Sequence, residues 1–137
     1  MNLKAEPKIL LISIANLWRY SNVGIDQIAG YLRNRGFNID IYYKHRRADV
    51  NTILTELSLD YDVYGFSVTS ANYEACCRLS SFIKAQRPDA VVIFGGGYPT
   101  RYYREIYSEN ASYLLSFISC EDLPKWLHVP CQTSKNP

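Results

Sequence analysis

This sequence lacks the spacings that would name a chemistry outright. Its four cysteines fall at 76, 77, 120 and 131, with no CxxC pair among them. Its two histidines, His45 and His128, stand far apart, so there is no zinc-ligand pattern. No charge sign dominates: 15 basic against 13 acidic residues leave a net charge of +2, which argues for neither nucleic acid nor a membrane surface as partner. No apolar run approaches the roughly 18 residues of a membrane span. Unpaired thiols are expected to stay reduced, as in a cytoplasmic protein. "ILLISIA" after Lys4 and Lys8 could pass for a short signal sequence, but its length suits a buried strand. "NAS" at 110–112 fits a glycosylation acceptor, which carries no meaning without secretion. There is no internal repeat and no low-complexity segment.

What is present is an alternation of strands and helices, in a chain of 137 residues that suits one domain. "KILLISI", 8–14, is a near-continuous apolar run suited to burial on both faces. In the helix expected over 23–35, Ile25, Ile28, Ala29 and Leu32 form one stripe, and Gly36 is placed to end it. "FNIDIYY", 37–43, alternates as a strand does. Asp49 is a plausible cap for a helix over 50–58, with Val50, Ile53, Leu54 and Leu57 inward. A strand over 61–68 leads to a helix over 71–86 with Ala75, Leu79, Phe82 and Ile83 inward, closed by Pro88. "AVVIF", 90–94, is the fourth strand, followed by a helix over 101–109 capped by Thr100 and a fifth strand over 112–118. A last helical turn falls near 122–128, so the domain is expected over 1–127 with 128–137 as a tail or the start of a linker.

Strands alternating with helices predict an α/β, flavodoxin-like (Rossmann-like) three-layer sandwich. Its five-stranded parallel sheet is expected in the order 2-1-3-4-5. In such sheets ligands lie beyond the carboxyl ends of the strands. The stretch "VVIFGGGYPT", 91–100, brings three consecutive glycines to that end. On the neighbouring loop stands "SVTS", 67–70. Ser67, Thr69 and Ser70 can exchange hydrogen bonds, and Gly95, Gly96 and Gly97 let a ligand lie against backbone amides. Each segment has a plain structural alternative: the glycines turn the chain and "SVTS" caps a helix. Both together, on adjacent loops, favour a binding role.

Several occupants are disfavoured. A dinucleotide site wants GxGxxG after the first strand, where "ANLWRYSNVG" stands. A P-loop wants Lys-Ser/Thr after its glycines, where Tyr98, Pro99 and Thr100 stand. A phospho-acceptor receiver needs an aspartate at the end of the third strand, where Ser67 or Val68 stands. A flavin mononucleotide loop would be rich in Ser, Thr and Gly, against Leu17, Trp18, Arg19 and Tyr20.

Through "KILLIS", "VGIDQIAGYLRNRGFNIDIY", "DVYGFSVTSANY" and "IKAQRPDAVVIFGGGYPT", residues 8–127 resemble the cobalamin-binding domains. The nearest likeness is to those at the N-terminus of cobalamin-dependent radical SAM proteins. The resemblance implies cobalamin as cofactor, its nucleotide tail threaded into the sheet from the carboxyl end. The tail channel is then lined by Ser67, Thr69, Gly95 and Gly96, with Ser21, Gly24, Ser70, Gly97 and Tyr98 around it. Many methyl-transferring relatives carry D-x-H-x-x-G after the first strand, whose His ligates cobalt. Aligning Gly24 with that glycine puts Arg19 at the Asp and Ser21 at the His, which implies cobalamin held with no protein histidine on cobalt. The cysteines do not form the C-x-x-x-C-x-x-C of a radical SAM cluster, so no iron-sulfur cluster is expected on this chain. The segment "FISCEDL" keeps Glu121 and Asp122 but lacks the glycine of the family's turn there.

The resemblance thus implies a cofactor-carrying module, not catalytic alone, that presents the corrin to a radical SAM or methyltransferase domain or subunit. Two other readings stand beside it: a ligand-free protein-interaction or sensor domain of the same fold, and a small enzyme for another nucleotide-like molecule. "KHRR", 44–47, reads as a solvated basic turn, Cys76 and Cys77 as packing, and Trp18 and Tyr20 as cover for a macrocycle or a partner.

Overall fold

The computed structural model describes residues 6–15, 22–45, 49–99, 101–102 and 113–114. Four parallel strands carry the sheet: β1 (Lys8–Ala15), β2 (Asn38–His45), β3 (Val63–Ser67) and β4 (Val91–Gly95). They lie in the order 2-1-3-4, and a two-residue β5 (Tyr113–Leu114) pairs with β4 at the far edge. The α/β flavodoxin-like sheet is therefore as expected, with four full strands among the described residues where five were expected. The expected 112–118 strand is described only at Tyr113–Leu114, and the turn near 122–128 and the tail lie outside the described residues.

Three helices cover the sheet: α1 (Val23–Arg33), α2 (Val50–Glu56) and α3 (Tyr73–Gln86). Ile9, Ile39, Val63, Val91 and Ile93 pack with Ala29 and Leu32 of α1 on one face. Leu10, Ile12, Ile14, Tyr64, Phe66, Val92 and Phe94 pack with Ile53, Leu57, Cys76, Leu79 and Ile83 from the α2/α3 layer on the other. The period-2 alternation of the strands sorts odd residues of β1, β3 and β4 toward α1 and even ones toward α2 and α3. Val91 through Phe94 are all buried, as a central parallel strand requires. Each such side chain contributes about 1.5–3 kcal/mol by leaving water.

The helix ends follow local chemistry. The Asn22 side chain accepts from the Ile25 amide and caps α1, whose last turn gives way to Gly36 at φ +86°. Asp49 caps α2 as expected, accepting from the Asn51 amide. In α3 the expected Leu79 and Ile83 are buried and Ala75 packs partly buried against the core, while Cys76 and Ser80 are buried in addition and Phe82 is only half-buried. Residues 97–99 and 101–102 are helical, so the chain turns helical directly after Gly96, ahead of the Thr100 expected to cap it.

The amino ends of the strands are closed by polar ties. Lys8 Nζ lies 2.9 Å from Asp60, and the Lys8 amide donates to the Asp62 carboxylate. Arg87 donates to the Leu59 carbonyl at 2.6 Å. The carboxyl ends carry a different set of residues.

Candidate functional site

Strand register brings three small residues into one row. Ser13 of β1 lies opposite Ser67 of β3, and Ser67 lies opposite Gly95 of β4. All three sit at odd positions on the α1 face, at the carboxyl ends of the strands. One step below, Leu11, Gly65 and Ile93 form the next row. Gly65 is bare beneath Leu11: a Cβ there would come within 2.8 Å of the Leu11 Cδ2 methyl. This row of hydroxyls and backbone, beside the start of α1, is called the trough below.

Asn22, at the start of α1, reaches across the trough. Its Nδ2 donates to Ser67 Oγ at 2.8 Å and to Ser13 Oγ at 3.3 Å, while its Oδ1 accepts from the Ile25 amide at 3.2 Å. A second asparagine fixes the loop behind it. Asn72, 3% exposed, accepts from the Thr69 amide at 2.7 Å and donates to the carbonyls of Ile14 and Ser67, both at 3.0 Å. It ties the ends of β1 and β3 together and satisfies its whole carboxamide.

The residues expected to form the site separate in three dimensions. Ser67 is half-buried in the trough and Gly95 beside it. Thr69 and Ser70 are exposed on the rim. Gly24 lies in the first turn of α1, where a Cβ would stand in ordinary contact, 3.4 Å from Asn22 Oδ1. Gly96 has φ +108°, and a Cβ on it would meet the Val68 carbonyl at 3.1 Å. Its bareness is therefore required by the chain itself. Gly97 has open space around its Cβ position. Tyr98 packs on the other face, against the α2/α3 core, and its ring stacks between Tyr73 and Tyr102 at centroid distances of 4.9 and 4.8 Å. Ser21 and Arg19 lie outside the described residues.

Ser13, Asn22 and Asn72 were not singled out by the sequence reading. Ser13 carried a signal, being a lone hydroxyl near the carboxyl end of an apolar run. Asn22 carried another, standing just before the helical stripe. Asn72 had none, since the helix expected over 71–86 took it in, whereas α3 begins at Tyr73.

Among the described residues the row carries hydroxyls and amides and no charged side chain, beside the partial positive charge of the amino end of α1. Asp26, in the first turn of α1, accepts from the Tyr43 hydroxyl. Burial and that bond push the Tyr43 phenol up to about 12. Burial also pushes the Cys76 thiol well above its ordinary range, which leaves it unreactive. Among the described residues no group of three or more His, Cys, Asp or Glu side chains could hold a metal. The arrangement can hydrogen-bond a slender polar group through Ser13, Ser67 and Asn22.

The fold is shared with response regulators. A receiver domain from Clostridium thermocellum is 17% identical over 88% of this chain and 90% of that one, with a TM-score of 0.59. DrrB, a Thermotoga maritima OmpR/PhoB homologue, is 12% identical over 85% of this chain and 49% of its own, with a TM-score of 0.55. The Salmonella typhimurium response regulator RcsB is 15% identical over 89% and 58%, with a TM-score of 0.54. At such identities the likeness is one of fold alone. β3 here ends in Ser67, without the aspartate of a phospho-acceptor. No curated protein matches the chain. No helix among the described residues is long and apolar enough to cross a membrane. The sequence model of the B12 binding domain matches residues 7–118, spanning all the described strands and helices, and the chain belongs to that family.

Proposed function

We propose that this domain holds cobalamin by its nucleotide tail in the Ser13–Ser67–Gly95 trough, with no protein histidine on cobalt. It presents the corrin to a catalytic radical SAM or methyltransferase domain or subunit. The observation that carries the reading is the register itself: three adjacent strands end in small residues on one face, beside the start of α1. A narrow tail bearing ribose hydroxyls and a phosphate suits such a floor. Ser13 and Ser67 offer hydrogen bonds, Gly95 offers close approach to the backbone, and Leu11 can swing its terminal methyls aside over Gly65. Gly97 leaves room at the rim, with Gly24, Thr69 and Ser70 around it, while Gly96 shapes the turn. Bound cobalamin would supply the chemistry of methyl or electron transfer. The residues of this chain bind and orient it and take no part as acid or base.

The test is direct. Purified protein mixed with hydroxocobalamin should retain the corrin absorption band through gel filtration. Complete loss of the band would overturn the reading and favour a second one, a ligand-free interaction domain of the same fold. The observation favouring that second reading is the bridge itself, since Asn22 satisfies both serines with no ligand.

A further inference from the structure

We propose that Asn22 is a latch on the trough, and that the ligand's nucleotide tail enters by displacing its carboxamide. This deepens the cobalamin reading and rests on it. The Asn22 amide occupies the hydrogen-bonding positions a tail would use, donating to Ser67 Oγ at 2.8 Å and Ser13 Oγ at 3.3 Å. Ser13 is 2% exposed, and Asn22 donates to its hydroxyl. The same side chain caps α1 through the Ile25 amide. A planar carboxamide held at both ends cannot leave the serines and keep its cap in the same place. Opening the trough and releasing the start of α1 are therefore one event.

The group that replaces Asn22 must restore hydrogen bonds to two buried or half-buried hydroxyls, because leaving them bare is costly. A tail with ribose hydroxyls does so; an apolar group does not. The three bonds broken on opening, at about 0.5 kcal/mol net each, hold the closed state in about nine molecules of ten, which lowers apparent affinity about tenfold.

Asn22→Ser isolates the latch. Serine is as good a helix cap as asparagine, but its shorter side chain cannot bridge Ser13 and Ser67. The variant should fold normally and bind hydroxocobalamin about tenfold more tightly than the parent chain. Cobinamide, which has the corrin ring but no nucleotide tail, should bind the two proteins alike or not at all. In the parent chain, adding hydroxocobalamin should speed hydrogen exchange at the Ile25 amide as its cap is withdrawn. Unchanged or weaker binding by Asn22→Ser, an equal gain with cobinamide, or unchanged exchange at Ile25 would each overturn the latch while leaving the carrier reading intact. If neither protein retains hydroxocobalamin, the carrier reading falls and the latch with it.

Discussion

At the scale of single residues, consecutive glycines do different work. Gly96 has a backbone conformation that side chains rarely adopt, and Val68 stands where its Cβ would go. Gly97 has neither constraint. Gly96→Ala should therefore cost about 1–3 kcal/mol through local strain. Gly97→Ala, at the start of a helical turn, should stay within about 0.5 kcal/mol of the parent or improve on it. Urea denaturation midpoints of the two variants measure the contrast, and equal losses would contradict it. The sequence made the triplet conspicuous without distinguishing its members. A positive φ and a neighbouring carbonyl exist only once β3 and β4 lie side by side.

At the scale of elements, most of the sequence pattern carried through to structure. The stripe Ile25, Ile28, Ala29 and Leu32 does face the sheet, with Ile25, Ala29 and Leu32 buried. Helix α3 was legible as a helix and, through Leu79 and Ile83, in most of its inner face, but not in the burial of Cys76 and Ser80, because its apolar residues spread around more than one face. The chosen face buries Ser80, whose hydroxyl has no hydrogen-bond partner among the described residues. Burying an unpaired hydroxyl is unfavourable, and alanine has the higher helix propensity. Ser80→Ala should raise stability by about 1 kcal/mol, read from the same denaturation curves. A loss of stability would mean that the hydroxyl makes a bond the structure does not show.

At the scale of the whole molecule, the edge strand β2 is clamped to both layers by phenol–carboxylate pairs. Tyr43 donates to Asp26 of α1, and Tyr42 donates to Glu56 of α2 at 2.6 Å. Tyr61 donates to Asp40 of β2 at 2.7 Å. Lys44, expected in a solvated basic turn, lies in β2 and pairs with Glu56 at 2.7 Å. Burial first, and then these bonds, push Tyr43 and Tyr61 up to about 12 from 10.0. A phenol held protonated in the folded state stabilises it fully below its unfolded pKa, and that contribution is lost as pH rises through the folded value. Stability should hold up to about pH 10 and fall between about 10 and 12, as followed by thermal melting. Tyr61→Phe should make that alkaline decline shallower; an unchanged decline would count against the pair. Glu56 works in the opposite direction. Its bonds to Lys44 and Tyr42 lower its pKa, so its contribution is present above the ordinary carboxylate range and lost as pH falls through the lowered value.

The sequence by itself determined the alternation of strands and helices, the apolar faces of α1 and α2, and a parallel sheet with its glycines at the ligand end. Those features repeat every 2 or 3.6 residues along the chain, so short windows encode them. Only the tertiary structure decided that Ser13, Ser67 and Gly95 share one row, that Asn22 bridges residues 9 and 45 positions away, and that Tyr98 lies on the opposite face. Such meetings depend on strand register and helix docking, which bring distant residues together, and no local pattern records them.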